Sequence, residues 1–158
     1  MDLSAINPVL LIASLMVAAT PLLLAAIGEL VVEKSGVLNL GVEGMMIVGA
    51  ISGFAVAVET GSPWLGFLAA AVGGALLSLL FVILTQLALA NQVASGLSLT
   101  LFGLGLSSLM GQRYVGIRPP QMAELHIPGL SDMPVLGPIL FSHDLVLYLG
   151  VAIIGGLG

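Results

Sequence analysis

Cysteine is absent from the 158 residues, which excludes disulfides, thiolate metal sites and thiol nucleophiles in this chain. Charge is scarce: charged residues make up 7% and aromatics 5%, where a soluble domain carries roughly 25% charged residues. No charged residue occurs between Glu59 and Arg113, a distance that needs at least two bilayer crossings at about 20 residues each. The few charges sit at the ends of apolar runs, so the net charge of −5 gives no argument for nucleic-acid binding. Asp2 precedes the first apolar run with no Lys or Arg, unlike a secretory signal, and the run is expected to be a retained helix.

What remains is 59% hydrophobic with a mean hydropathy of +1.22, the composition of an integral membrane protein. The expected fold is all-α, a polytopic transmembrane bundle of about four complete helices and an unfinished fifth. The apolar runs lie at residues 9–27, 37–58, 64–87, 94–110 and 145–158. Pro8 is suited to starting the first helix. Pro21 should kink it, with Thr20 available to satisfy the freed carbonyl. Residues 28–35 read as a short polar connection, 59–63 as a turn, and Trp64 as an interfacial anchor. The span 112–143 holds five of the eight prolines, both arginines and both histidines, and reads as a long extramembrane loop. The last run stops after about 14 residues, short of a crossing, which suggests a truncated product or partial reading frame.

Small residues recur at helical spacing. Gly49 and Gly53 form a GxxxG pair; Gly66, Ala70, Gly74 and Ser78 lie four apart, as do Gly103, Ser107 and Gly111. Each stripe lets another helix approach closely.

Polarity concentrates in residues 28–46, GELVVEKSGVLNLGVEGMM, which hold Glu29, Glu33, Glu43 and the only lysine, Lys34. Gly36, Gly41 and Gly44 lower helix propensity there, suggesting a partly unwound or re-entrant start before a regular helix from about Met45. Were the stretch helical, Asn39 and Glu43 would share a face continued by Met46 and Ala50. Glu43 either pairs with Lys34 or caps a neighbouring helix, or it lines a water-filled path, since ionisable groups in a membrane are costly. Glu29 and Glu33 read as solvated interface charges. Asn91, Gln92, Ser95 and Thr100 read as interhelical hydrogen bonds or path lining. His126 and His143 fit no metal motif, and no P-loop or Ser–His pair occurs on the apolar runs. No catalytic residue, metal or cofactor is therefore assigned.

The 28–46 stretch resembles the GE…E(R/K)xGVxNxGxEGMM signature of the membrane permease subunits of bacterial ABC importers. The group is that of ribose and branched-chain amino acids, and the form is closest to its nucleoside and simple-sugar branch. NQVASGL at 91–97 resembles the branch's second motif, and IPGLSDMPVLGP at 127–138 resembles its extracytoplasmic loop. The resemblance implies the N-terminal part of a larger permease in the bacterial inner membrane. Its partners would be a second permease subunit, cytoplasmic ATP-binding subunits that hydrolyse ATP in its place, an extracytoplasmic substrate-binding protein, and the lipid bilayer. Asn39, Glu43, Gln92 and Ser95 fall at motif positions placed near the solute path. Thr100 stands where many members have Asn. Members also run on through several further helices, including the one that docks on the ATPase. The family places the 112–143 loop outside, whereas two arginines against one lysine point inward; the resemblance is followed. Branched-chain amino-acid transport is the alternative within this class. A non-transporting packing subunit is the alternative outside it, and an intramembrane enzyme a third.

Overall fold

The helices begin and end where local backbone chemistry dictates. Asn7 accepts a hydrogen bond from Val9 N–H at 3.0 Å and Pro8 occupies the first helical position, opening α1 (Pro8–Lys34). α1 closes in a Schellman turn: Gly36 N–H donates to Glu33 O and Val37 N–H to Val32 O, with Gly36 at φ +85°, a conformation that suits glycine. Lys34 in the last turn favours the negative helix end.

A computed structural model describes residues 7–120 and Ala152. The readings made on the rest of the 112–143 loop and on the 145–158 run lie outside the described residues. The part of α1 up to Gly28 belongs to one compact unit, and Glu29–Met122 to another.

One expectation changes in α1. Residues 28–34 are helical rather than a connection, because Glu29, Leu30, Glu33 and Lys34 are adequate helix formers and a single glycine costs only about 1 kcal/mol. The helix also continues through Pro21. Thr20 Oγ1 donates to Met16 O at 2.9 Å, one residue before the Val17 carbonyl that proline leaves without its usual donor.

From Gly36 to Gly41 the chain is not helical. α2 (Val42–Thr60) follows and stops at Gly61, φ +70°. Ser62 caps α3 (Pro63–Val82), with Pro63 again in the first turn. α3 runs into a π turn, Ile83–Leu87, and the chain then passes through Leu89 at φ 53°. Asn91 caps α4 (Gln92–Gly111) by accepting from Ala94 N–H at 3.0 Å. A 3-10 turn, Gln112–Tyr114, ends it.

Among the described residues four helical stretches, Pro8–Lys34, Val42–Thr60, Pro63–Leu87 and Gln92–Tyr114, are long and apolar enough to cross a membrane. At 1.5 Å per residue the shortest, α2, is about 28 Å long, close to the hydrocarbon thickness. Trp64 is exposed at the start of α3, as an interfacial residue would be.

α2 is the central element of its unit and packs on both α3 and α4. On the α3 side, a Cβ on Gly53 would lie 2.8 Å from Gly66 O and from Ala70 Cβ, and one on Gly66 would lie 2.6 Å from Ala57 Cβ. Gly49 approaches Ala70 O in the same way, at 3.0 Å. Further along, Gly73 meets Ser52, whereas Gly74 has ordinary contact with Met45 O at 3.5 Å. The contact stripe thus turns from Ala70 to Gly73 and Leu77, following 3.6 rather than 4.0 residues per turn; Ser78 is half-buried. Val48, Leu77, Phe81 and Leu99 form the small apolar core. At the far end of α2, Tyr114 O–H donates to Glu59 Oε1 at 2.6 Å, and its ring meets Phe54 edge-on at 5.8 Å. Leu68, Leu76, Leu101 and Leu109 face outward, as lipid-facing or partner-facing residues do.

These contacts generate a packing prediction. Gly53→Leu should lower stability by about 1 to 3 kcal/mol through overpacking, read as a fall in thermal midpoint in detergent. Gly105→Ala, where a Cβ meets nothing within 4 Å, should be neutral or stabilising by up to about 1 kcal/mol.

Candidate functional site

The non-helical residues Gly36 to Gly41 interrupt the route between two membrane-spanning helices, and their backbone groups need partners from elsewhere. Leu38 N–H donates to Gln92 Oε1 at 2.8 Å, and Asn39 N–H to Glu29 Oε1 at 3.1 Å. Gly41 N–H donates to Asn39 Oδ1 at 3.0 Å, a local Asx turn. Asn39 Nδ2 reaches Met45 Sδ at 3.6 Å. Leu40 O accepts from Thr100 Oγ1 at 3.2 Å, and the same hydroxyl lies 3.3 Å from Gly96 O.

Close backbone approach makes this bonding possible. A Cβ on Gly96 would lie 2.8 Å from Gly41 N and 2.9 Å from Leu40 N. One on Gly44 would lie 2.6 Å from Leu99 O, and one on Gly103 2.8 Å from Gly44 O. Gln92, Gly96, Thr100 and Gly103, spaced four, four and three, therefore form one face of α4 that carries the broken segment at one end and α2 at the other. Ser107 is half-buried further along, and Gly111 meets only Ile51 Cδ1, at 3.7 Å.

Of the candidates named from sequence, Asn39, Gln92 and Thr100 belong to this hydrogen-bonded cluster. Ser95 is buried in the first turn of α4. Glu43 is exposed in the first turn of α2. Asn39, 6% exposed, precedes that helix, so the shared helical face of Asn39 and Glu43 does not form: Gly36 ends α1 and a non-helical link runs to Val42. Glu29 changes role most. Read as a solvated interface charge, it is half-buried and accepts the Asn39 amide proton. The Gly36 turn, which reverses the chain back along α1, was the signal for this.

Polar groups converge here and not in the open apolar groove of about 320 Å³ between α2 and α3, lined by Ala, Gly, Phe and Pro residues that include Phe54, Phe67 and Pro120. Among the described residues no group of His, Asp or Glu is placed to hold a metal.

Four helices of membrane-spanning length among the described residues, the first two joined by a polar non-helical link, define a class, the polytopic α-helical membrane proteins. The chain belongs to the family described as branched-chain amino acid transport system / permease component, whose model matches residues 11–123. It is 37% identical over 153 residues to a guanosine ABC transporter permease protein of Bacillus subtilis, covering 90% of this chain and 48% of the relative. It is 31% identical over 145 residues to a nucleoside ABC transporter permease protein of Lactococcus lactis, covering 85% and 45%. A Haloferax volcanii ABC transporter permease protein whose name assigns it provisionally to glucose is 41% identical over 138 residues, covering 85% and 42%. The chain thus spans somewhat under half the length of these relatives. No solved structure matches.

The cluster makes two substitutions informative. Thr100→Val removes the donor to Leu40 O and should cost about 0.6 to 2 kcal/mol, the range of interhelical hydrogen bonds in membranes. Gly96→Ala should cost more, since its Cβ meets backbone atoms that cannot turn aside. Thermal unfolding in detergent compares the two, and a Gly96→Ala protein as stable as the parent would contradict the close approach.

Proposed function

We propose that this chain is the N-terminal part of the membrane permease subunit of a binding-protein-dependent ABC importer for nucleosides or simple sugars in the bacterial inner membrane. The observation that carries the reading is the break at Gly36 to Gly41, held by uncharged Gln92 and Thr100 from α4 and by Glu29 from α1. Discontinuous helices with polar groups near the membrane interior are the general device for solute sites in transporters. Asn39, Gln92, Ser95 and Thr100 line the path, and Glu43 stands at its mouth. A segment built of peptide groups, amide and hydroxyl suits uncharged solutes rich in hydroxyl and amide groups. The names of the three relatives, which cite guanosine, nucleosides and glucose, support the same class.

The partners proposed are a second permease subunit, cytoplasmic ATP-binding subunits that hydrolyse the ATP, and an extracytoplasmic substrate-binding protein. The family's description favours a second reading, import of branched-chain amino acids. Uptake of labelled nucleosides, sugars and leucine separates the two in cells lacking the gene and redundant importers. Loss of nucleoside or sugar uptake is expected, restored by the parent gene and weakly by Gln92→Leu. Loss of leucine uptake alone would select the second reading, and unchanged uptake of all three would sink both.

A further inference from the structure

We propose that Glu29 is a positioning residue for the broken segment, acting through the Asn39 amide. The inference rests on the reading of that segment as part of the solute path. Two consecutive amides, those of Leu38 and Asn39, are held by different helices: Gln92 of α4 takes the first and Glu29 near the end of α1 takes the second. Without these two arms the segment keeps one long-range bond among the described residues, from Thr100 Oγ1 to Leu40 O, and the neighbouring amides are bonded locally. Gly36 and Val37 N–H close the end of α1, and Gly41 N–H is committed to Asn39 Oδ1.

Glu29 can do this because of where α1 ends. The helix carries Glu29 into its last two turns, the Gly36 turn reverses the chain, and Asn39 returns alongside it, ten residues later in sequence. The bond leaves the Asn39 side chain free to hold Gly41 and Met45. Gly41 is in turn the residue seated against Gly96. Glu29 thus sets the register of the segment on α4 without itself belonging to the face that carries Gln92 and Thr100.

The geometry uses an acceptor oxygen at the reach of a glutamate side chain. Glutamine supplies that oxygen, alanine lacks it, and aspartate is one methylene short. The order of function should therefore be Glu, then Gln, then Asp and Ala. A role in bulk charge would instead group Glu with Asp and set Gln with Ala.

The test uses the native gene product with its partner subunits. Hydrogen–deuterium exchange is followed over residues 36–41, and nucleoside and sugar uptake is measured on the same variants. Glu29→Ala should speed exchange at Leu38 and Asn39 by about tenfold, the lower end for loss of a bond to a charged group. It should also raise KM several-fold with little change in kcat, as expected when a binding surface is loosened. Glu29→Gln should restore most of both. Unchanged exchange in Glu29→Ala overturns the proposal, as does equal loss in the Ala and Gln variants or faster exchange spread through α2 and α3. Faster exchange confined to 36–41 with unchanged KM upholds the positioning role and overturns the segment's place in the solute path.

Discussion

A peptide group packed against other backbone needs a hydrogen-bond partner, and the architecture from Glu29 to Tyr114 is arranged around the link between α1 and α2, where the helical ladder fails to provide it. Between Gly36 and Gly41 the backbone leaves the helical ladder, and its amides and a carbonyl are met by Glu29, Gln92, Thr100 and the segment's own Asn39. Each such group left buried and unmet would cost about 1 to 3 kcal/mol. The link is held because Glu29, near the end of α1, and Gln92 and Thr100 of α4 all reach it.

That constraint explains why the helix contacts are made of glycine. For Thr100 to reach Leu40 O, the backbones of the segment and α4 must nearly touch, which Gly41, Gly44, Gly96 and Gly103 allow. Between α2 and α3 the same economy appears at Gly53, Gly66 and Ala70, leaving a small apolar core at Val48, Leu77, Phe81 and Leu99. In lipid, where apolar side chains gain little by meeting each other, close backbone packing and interhelical hydrogen bonds replace the large buried core of a soluble domain. The numerous outward leucines then cost nothing.

Much of this was legible beforehand because it is written in local chemistry. Composition and the charge-free interval 60–112 dictate a multi-span helical protein, and the glycine-rich 36–44 stretch signals a break near Asn39. The misreadings share a cause. Residues 28–34 read as a connection because their polarity suggested solvent, yet polar residues continue a helix as well as apolar ones do. Asn39 and Glu43 read as a possible helical pair because spacing alone cannot reveal which side of a helix start each residue falls on. The stripe assigned to Gly74 passes through Gly73, since a strict four-residue spacing drifts around a helix of 3.6 residues per turn.

By itself the sequence determined the helical class, the membrane-spanning lengths, the caps at Asn7, Ser62 and Asn91, and the polar character of the 36–41 stretch, because each follows from residues within one or two turns of one another. Tertiary structure alone decided that Glu29 holds the Asn39 amide, that Gln92 holds Leu38, and that Gly96 and Gly103 meet Gly41 and Gly44. The α4 contacts join residues 54 or more positions apart, and the Glu29 contact depends on a chain reversal at Gly36. No local propensity encodes which distant partner completes a broken helix; that depends on how closely the backbones can approach once the helices pack.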